Sequence, residues 1–229
     1  SILFIIVLIS SFTFIIINNT HDELQEKIHT LKTDYTNNQK ELIKNHVNYI
    51  INFIDYYNET FKDKKSQAEI QKEILQTIEK LRVNQNPNEY IFIYDFNGKL
   101  IQDAVSKNNI GENFYNLKDI NGKEVIKELI TTSQKKHGGY VEYVWYKPEI
   151  SKQTNKISYS LSYNKWNWTI GKGVYLDEID KLVKIKEEEF NQKISNYTLQ
   201  ITSLTIMLIL YSIFIYKNAT ILIVNDVKE

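Results

Sequence analysis

Tyr90-Ile91-Phe92-Ile93-Tyr94-Asp95-Phe96-Asn97-Gly98 is the stretch that decides the fold. Its opening run is β-branched and aromatic, which suits a pleated, half-buried strand. Asn-Gly directly after such a run is a strong short-range hairpin signal, so residues 99–105 read as the return strand. Downstream, residues 108–119 read as a loop containing Gly111. A short amphipathic helix with Val125, Ile126, Leu129 and Ile130 follows Asn121-Gly122 and stops at Gly138-Gly139. Residues 140–146, 157–163 and 168–175 read as three further strands, the first two joined by a polar hairpin tip over 151–156. Five short strands joined mainly by hairpins predict an α+β fold: one antiparallel sheet with helices packed on a face.

Upstream of the decisive stretch the periodicity changes from two to 3.6. Leu24, Ile28, Leu31 and Tyr35, then Val47, Ile50, Ile51, Ile54 and Tyr57, recur at helical spacing with no Gly or Pro from residue 21 to residue 65. At ~1.5 Å per residue this predicts a helix roughly 60 Å long. Such a helix must pack on its own domain or on a second copy of the chain. A homodimer is therefore expected, with Ile50 and Ile54 as its contact residues. A second helix carries Ile70, Ile74, Leu75, Ile78 and Leu81 and ends before Pro87.

Both flanks are apolar. Residues 2–17 and 194–216 carry no charge, and the second run is long enough to cross a ~30 Å hydrocarbon core. The expected organisation has a transmembrane helix over 1–17, shortened at its start, and the long and second helices over 18–85. A sensor-like sheet domain over 86–180, a charged juxtamembrane helix over 181–193, a second transmembrane helix over 194–216 and the start of an output region over 217–229 complete it. Both ends read as cut from a longer protein. The 229 residues carry 28 basic and 28 acidic side chains and no cysteine. That balance leaves no electrostatic footprint for nucleic acid, and the missing thiols exclude disulfides, thiolate catalysis and cysteine-ligated zinc.

The ordered set of short motifs resembles the single Cache sensor domain of bacterial transmembrane receptors. Residues 90–98 carry the resemblance together with Ile110-Gly-Glu-Asn-Phe114, Leu117-Lys-Asp-Ile-Asn-Gly122, the run from Gly139 to Pro148, Lys156-Ile-Ser-Tyr159, and the run from Trp166 to Tyr175. It covers about residues 42–182. The resemblance implies a PAS-like five-stranded antiparallel sheet with a long N-terminal helix, placed outside the cytoplasm between two membrane spans. It implies binding of small molecules, often short organic acids or amino acids, upstream of a histidine kinase, a methyl-accepting chemotaxis receptor or a diguanylate cyclase. Many relatives carry His-Pro after the Asn-Gly turn where this chain has Asp103-Ala104, which points to a different or less acidic ligand.

Alternation along strands places Phe92 with Tyr94, Tyr143 with Trp145 and Lys147, and Tyr159 with Tyr163. Together these seven are the expected ligand-binding residues of a concave, mostly apolar pocket, with Lys147 as the anion partner. Lys156 is a second candidate anion partner, with a hairpin-tip charge as the preferred reading. Asp95-Phe-Asn-Gly98 reads as turn chemistry instead of a calcium loop, because the spaced carboxylates and terminal Glu are missing. The four histidines have no metal spacing, and no nucleophile–base set or phosphate loop appears, so neither catalysis nor a cofactor is expected of this segment. The expected function is small-molecule sensing by the sensory half of an inner-membrane two-component histidine kinase. The alternatives are a chemotaxis receptor, a diguanylate cyclase, or a membrane-anchored structural domain without a small ligand.

Overall fold

A computed structural model of the chain describes residues 2–80, 88 and 90–226. The elements in order are α1 (Ile2–Phe61), α2 (Gln67–Lys80), β1 (Ile91–Asp95), β2 (Leu100–Asp103), α3 (Val125–Ser133), β3 (Gly139–Lys147), β4 (Lys152–Tyr163), β5 (Trp168–Tyr175) and α4 (Asp177–Asp226). The predicted last apolar residue of the second helix, Leu81, and the stretch up to Pro87 lie outside the described residues. The chain forms two compact units, one of residues 33–180 and one of residues 1–32 with 181–229.

In the unit of residues 33–180 the five strands form one antiparallel sheet in the order β2-β1-β5-β4-β3. The Asn97-Gly98 turn closes β1 onto β2, with Asp95 Oδ1 accepting from the backbone N–H groups of Asn97 (2.9 Å) and Lys99 (2.8 Å). This is Asx-turn chemistry. One sheet face packs against α1 and α2. Ile43, Val47, Ile50 and Ile54 of α1 join Ile70, Ile74 and Ile78 of α2 over Ile93, Tyr159, Tyr163, Trp168 and Ile170. Ser66 starts α2 with a capping box. Its hydroxyl accepts from Glu69 N–H (3.3 Å), and the Glu69 carboxylate accepts from Ser66 N–H (2.9 Å). The opposite face carries α3, whose Val125, Ile126, Leu129 and Ile130 cover Phe92, Tyr94, Leu100 and Val141.

Two expectations are corrected here. Ile50 and Ile54 do not face outward for a dimer; both are buried in the α1–sheet core. A 3.6-residue period identifies an apolar stripe but not what covers it, and the chain's own sheet takes this one. The residues of α1 that point outward are Leu42, Tyr49 and Tyr56, seven apart and 51%, 69% and 71% exposed. The second correction concerns the β3–β4 tip. Residues 152–156 are paired strand, with Lys152 opposite Lys147 and Lys156 opposite Tyr143, so the turn falls at 148–151. Polar Gln153 and Asn155 keep their ladder bonds while their side chains meet solvent, which hides the strand from a hydropathy reading.

In the unit built from the chain's two ends, residues 2–32 and 181–226 are helical. The first apolar run and the long helix are one element: Asn18-Asn19-Thr20-His21 holds no helix breaker, and α1 runs through it. α4 is likewise one 50-residue helix. Among the described residues one helical stretch, Asp177–Ile221, is long and apolar enough to cross a membrane, and its most apolar window is not buried within the chain.

Candidate ligand pocket

The pocket lies between the sheet and α3. Sheet register builds it. Phe92 pairs with Gly171, which pairs with Ser160; one step along, Gly173 pairs with Ser158; a further step aligns Tyr175, Lys156 and Tyr143 across three strands. β5 offers this face no side chain at positions 171 and 173. A Cβ on Gly171 would lie 2.3 Å from the Phe92 ring, and one on Gly173 would lie 2.2 Å from Ser158 Oγ and 2.6 Å from Lys156 Cε. The Phe92 ring and the Lys156 stem therefore lie flat over bare backbone, which only glycine permits. Above them Ile126 and Leu129 of α3 form the roof, and Tyr90, Tyr94, Trp145 and Asp103 close the sides. The space these residues enclose is small, room for about one water molecule, and it opens to solvent at its mouth.

The polar centre is Lys156. It is 1% exposed, its Nζ donates to Tyr90 Oη (2.8 Å), and it sits 4.3 Å and 4.8 Å from the ring centroids of Tyr90 and Tyr175. Among the described residues no carboxylate lies within ion-pair distance of it. Burial, only partly opposed by the charge of Asp103, pulls its pKa down to about 7. Burial also raises the pKa of Tyr90, Tyr94 and Tyr143, and that of Tyr175 to about 12, so these phenols are neutral donors at physiological pH. Tyr143 Oη and Ser158 Oγ share a hydrogen bond of 2.8 Å. An ammonium among neutral phenols, with apolar walls, is suited to receiving a small anion.

Of the seven expected site residues, Phe92, Tyr94, Tyr143 and Trp145 come together at this cavity. The other three lie elsewhere. Tyr159 and Tyr163 point to the α1 side, where Tyr159 donates to His137 O (2.6 Å) and Tyr163 to Asp55 Oδ1 (3.1 Å). Lys147 lies beyond Trp145 at the end of β3 and donates to both carboxylate oxygens of Asp177, each at 2.8 Å. The first residue of α4 is thereby tied to the sheet, and Lys147 is committed before any ligand arrives. Tyr90, Asp103, Ile126 and Leu129 are pocket residues that the sequence reading missed, and Lys156 is one that it named as a second candidate and set aside. Tyr90 was accessible, since it alternates with Phe92 and Tyr94. Lys156 was concealed by the misplaced hairpin tip.

A chain with this sheet order, helix placement and pocket has relatives of known type. Over 90 residues it is 40% identical to the sensor histidine kinase MctS of Rhizobium johnstonii, covering 39% of this chain and 19% of that one. Over 114 residues it is 29% identical to the methyl-accepting chemotaxis protein McpP of Pseudomonas putida, covering 50% of this chain and 21% of that one. The chain thus matches about a fifth of the length of each. Among solved structures it resembles a methyl-accepting chemotaxis protein of Vibrio parahaemolyticus, with TM-score 0.58, 27% identity, and coverage of 67% of this chain and 99% of that one. It also resembles a Cache chemosensory domain whose structure is described as the basis for carboxylic acid recognition, with TM-score 0.54, 25% identity, and coverage of 64% and 97%. The model of the family called single Cache domain 2 matches residues 35–189, and with the sheet and pocket described above this places the chain in the single Cache family of sensor domains.

Proposed function

We propose that this chain is the extracytoplasmic sensory part of a bacterial membrane receptor, and that its ligand is a small carboxylic acid received in the pocket between the sheet and α3. The observation that carries the reading is Lys156, a buried ammonium facing a small cavity with no carboxylate at ion-pair distance among the described residues. Burying such a charge is costly unless it is paired, and an incoming carboxylate supplies the pair. The carboxylic acid recognition described for a similar Cache domain supports the same chemistry. The segment acts by binding and not by catalysis. The apolar stretch of α4 and the apolar residues 2–17 are the two membrane spans of this reading. A second copy of the chain docks along the outward face of α1.

The geometry offers a route from ligand to output. Tyr175 lies under Lys156 and also 5.6 Å from Lys147, its hydroxyl donates to Tyr146 O (2.6 Å), and only Leu176 separates it from α4. A carboxylate drawing Lys156 toward the cavity shifts the packing of Tyr175 against the Lys147–Asp177 pair that holds the start of α4. The output is a histidine kinase in this reading, supported by the higher identity to MctS; a chemotaxis receptor is the alternative. The test is calorimetric titration of the chain with acetate, propionate and succinate. Saturable binding by at least one of them, lost in Lys156→Met at unchanged fold, is expected. Binding that survives Lys156→Met removes the pocket assignment.

A further inference from the structure

Lys156 is placed as a reactive amine as well as a charge. Its stem lies over Gly173, where a Cβ would come 2.6 Å from Lys156 Cε, so the bare backbone of β5 supports the side chain close to its end. The residue is 1% exposed and lines the cavity beneath Ile126 and Leu129. Its hydrogen-bond partner is a phenol, Tyr90 Oη at 2.8 Å, a group that accepts from an ammonium and equally donates to an amine. Lys147 is the opposite case. Its Nζ is engaged by both carboxylate oxygens of Asp177 at 2.8 Å and has no lone pair to offer. The polar groups around Lys156 are Tyr90 ahead of β1, Tyr94 on β1, Asp103 on β2, Tyr143 on β3 and Tyr175 on β5, while the α3 residues at the cavity are apolar. Burial outweighs the charge of Asp103 and holds the pKa of Lys156 down to about 7. A lysine desolvated in an apolar pocket is a nucleophile toward carbonyl carbon.

Size selects the carbonyl compound. The space beside Lys156 takes about one water molecule, which is room for a carbonyl carbon bearing hydrogen or a methyl group, and a longer chain meets Phe92, Ile126 and Leu129. We propose that Lys156 is a reversible covalent site for an aldehyde of one or two carbons, held as an imine. The lone pair of Nζ attacks the aldehyde carbon, and the N–C bond forms as the π pair of the carbonyl moves to oxygen. Tyr90 takes a proton from the nitrogen and gives its own O–H proton to that oxygen, so the phenol stays neutral. In the second step the nitrogen pair forms the C=N bond and the hydroxyl departs. The same relay carries the last N–H proton to it, so that it leaves as water through the open mouth. Amine and aldehyde thus give imine and water, with no oxidant or reductant. A protonated imine is a cation on the same nitrogen, which the surroundings of the ammonium also accommodate. This chemistry does not depend on the acid reading, since it uses the amine where a carboxylate uses the ammonium.

The experiment treats the full chain in detergent micelles at pH 7 with limiting formaldehyde or acetaldehyde. Cyanoborohydride reduces each imine to a stable alkylamine, and peptide masses locate the modified lysines over time. At this pH about half of Lys156 is free amine, against about three in ten thousand for a lysine at the ordinary value of 10.5. Lys156 is therefore expected to be modified at least about tenfold faster than the exposed lysines, with the remaining advantage lost to restricted entry. Pentanal is expected to modify the exposed lysines and spare Lys156. In Tyr90→Phe the rate at Lys156 is expected to fall about tenfold or more while the exposed lysines react as before. Lys156 left unmodified by both small aldehydes, or modified no faster than the exposed lysines, overturns the proposal. Equal modification of Lys156 by pentanal overturns the size selection, and an unchanged rate in Tyr90→Phe overturns the relay. The wild-type measurements decide alone should the variant not fold.

Discussion

Lys156 carries two opposed demands, and its titration separates them. Its folded pKa is lowered to about 7 from an ordinary value of 10.5 by burial. Between these two values the unfolded chain binds the proton that the folded chain has released, so stability rises as pH goes from 7 toward 10. Below pH 7 both states hold the proton, and the ligand-free fold bears the full cost of the buried ammonium. Lys156→Met is therefore expected to stabilise the ligand-free chain by about 1–4 kcal/mol at pH 6 and by clearly less at pH 9. Denaturant melts at the two pH values check this, and an equal gain at both would exclude a titrating Lys156. Binding has the reverse dependence. A carboxylate needs the ammonium, so its affinity should weaken by up to about tenfold per pH unit above 7, measured by titration at pH 7, 8 and 9. At this scale the sequence disclosed the aromatic half of the pocket and assigned its charge to the wrong lysine. Lys147 and Lys156 are both lysines on strands flanked by aromatics; what distinguishes them is that Asp177 reaches one of them and not the other, a contact made across 30 residues of chain.

The elements were legible to the extent that their signals are local. The Asn97-Gly98 hairpin, the α3 stripe and the three later strands follow from residues within one turn or one alternation of each other. Alternation states which side chains of one strand share a face. It does not state how the faces of two strands align, which depends on register. Tyr143 pairs with Lys156, so the odd-numbered residues Tyr159 and Tyr163 of β4 turn away from the pocket that Tyr143 lines. The pairing of Gly171-Lys172-Gly173 in β5 with both neighbours makes that strand the pocket floor. Gly173→Ala, whose Cβ meets Lys156 and Ser158, is expected to cost about 1–3 kcal/mol of stability and to weaken acid binding. A chemical melt and a titration together check it, and a variant that binds like the wild type would show that the floor yields. The Lys147–Asp177 pair belongs to the joint between β3 and α4. With side chains 2% and 19% exposed, its loss in Asp177→Asn leaves the buried ammonium with the longer contact to Glu149 (3.6 Å) as its remaining ion pair, at an expected cost of about 1–3 kcal/mol. Since Lys147 does not line the pocket, acid affinity should stay within a few fold while signalling by the intact receptor is lost. A large loss of affinity would place Asp177 in the site.

At the scale of the whole molecule, the long helix and the apolar flanks were legible because helix period and charge-free runs extend over many residues and outlast local ambiguity. The occupant of each helix face was not, because a stripe of isoleucines looks the same whether a sheet or a second copy covers it. The sheet takes Ile43, Val47, Ile50 and Ile54 and leaves Leu42, Tyr49 and Tyr56 exposed, the face on which the proposed second copy would dock. Tyr49→Glu combined with Tyr56→Glu is expected to convert the dimer of the full chain to a monomer in detergent without changing its melt. Sedimentation of the wild type as a monomer would remove the dimer from the proposal.

The bare strand beneath the pocket bears on how such a receptor can change over generations. Pocket depth here is set by atoms that β5 lacks at positions 171 and 173, while the pairing that holds the sheet runs through the backbone and is indifferent to them. Ligand size and fold integrity are thus encoded in different atoms of the same strand. A lineage can trade a methyl group at the floor against one on the α3 roof at Ile126 or Leu129, moving by single codons from one metabolite to its neighbour while strand order, register and the junction to α4 stay as they are.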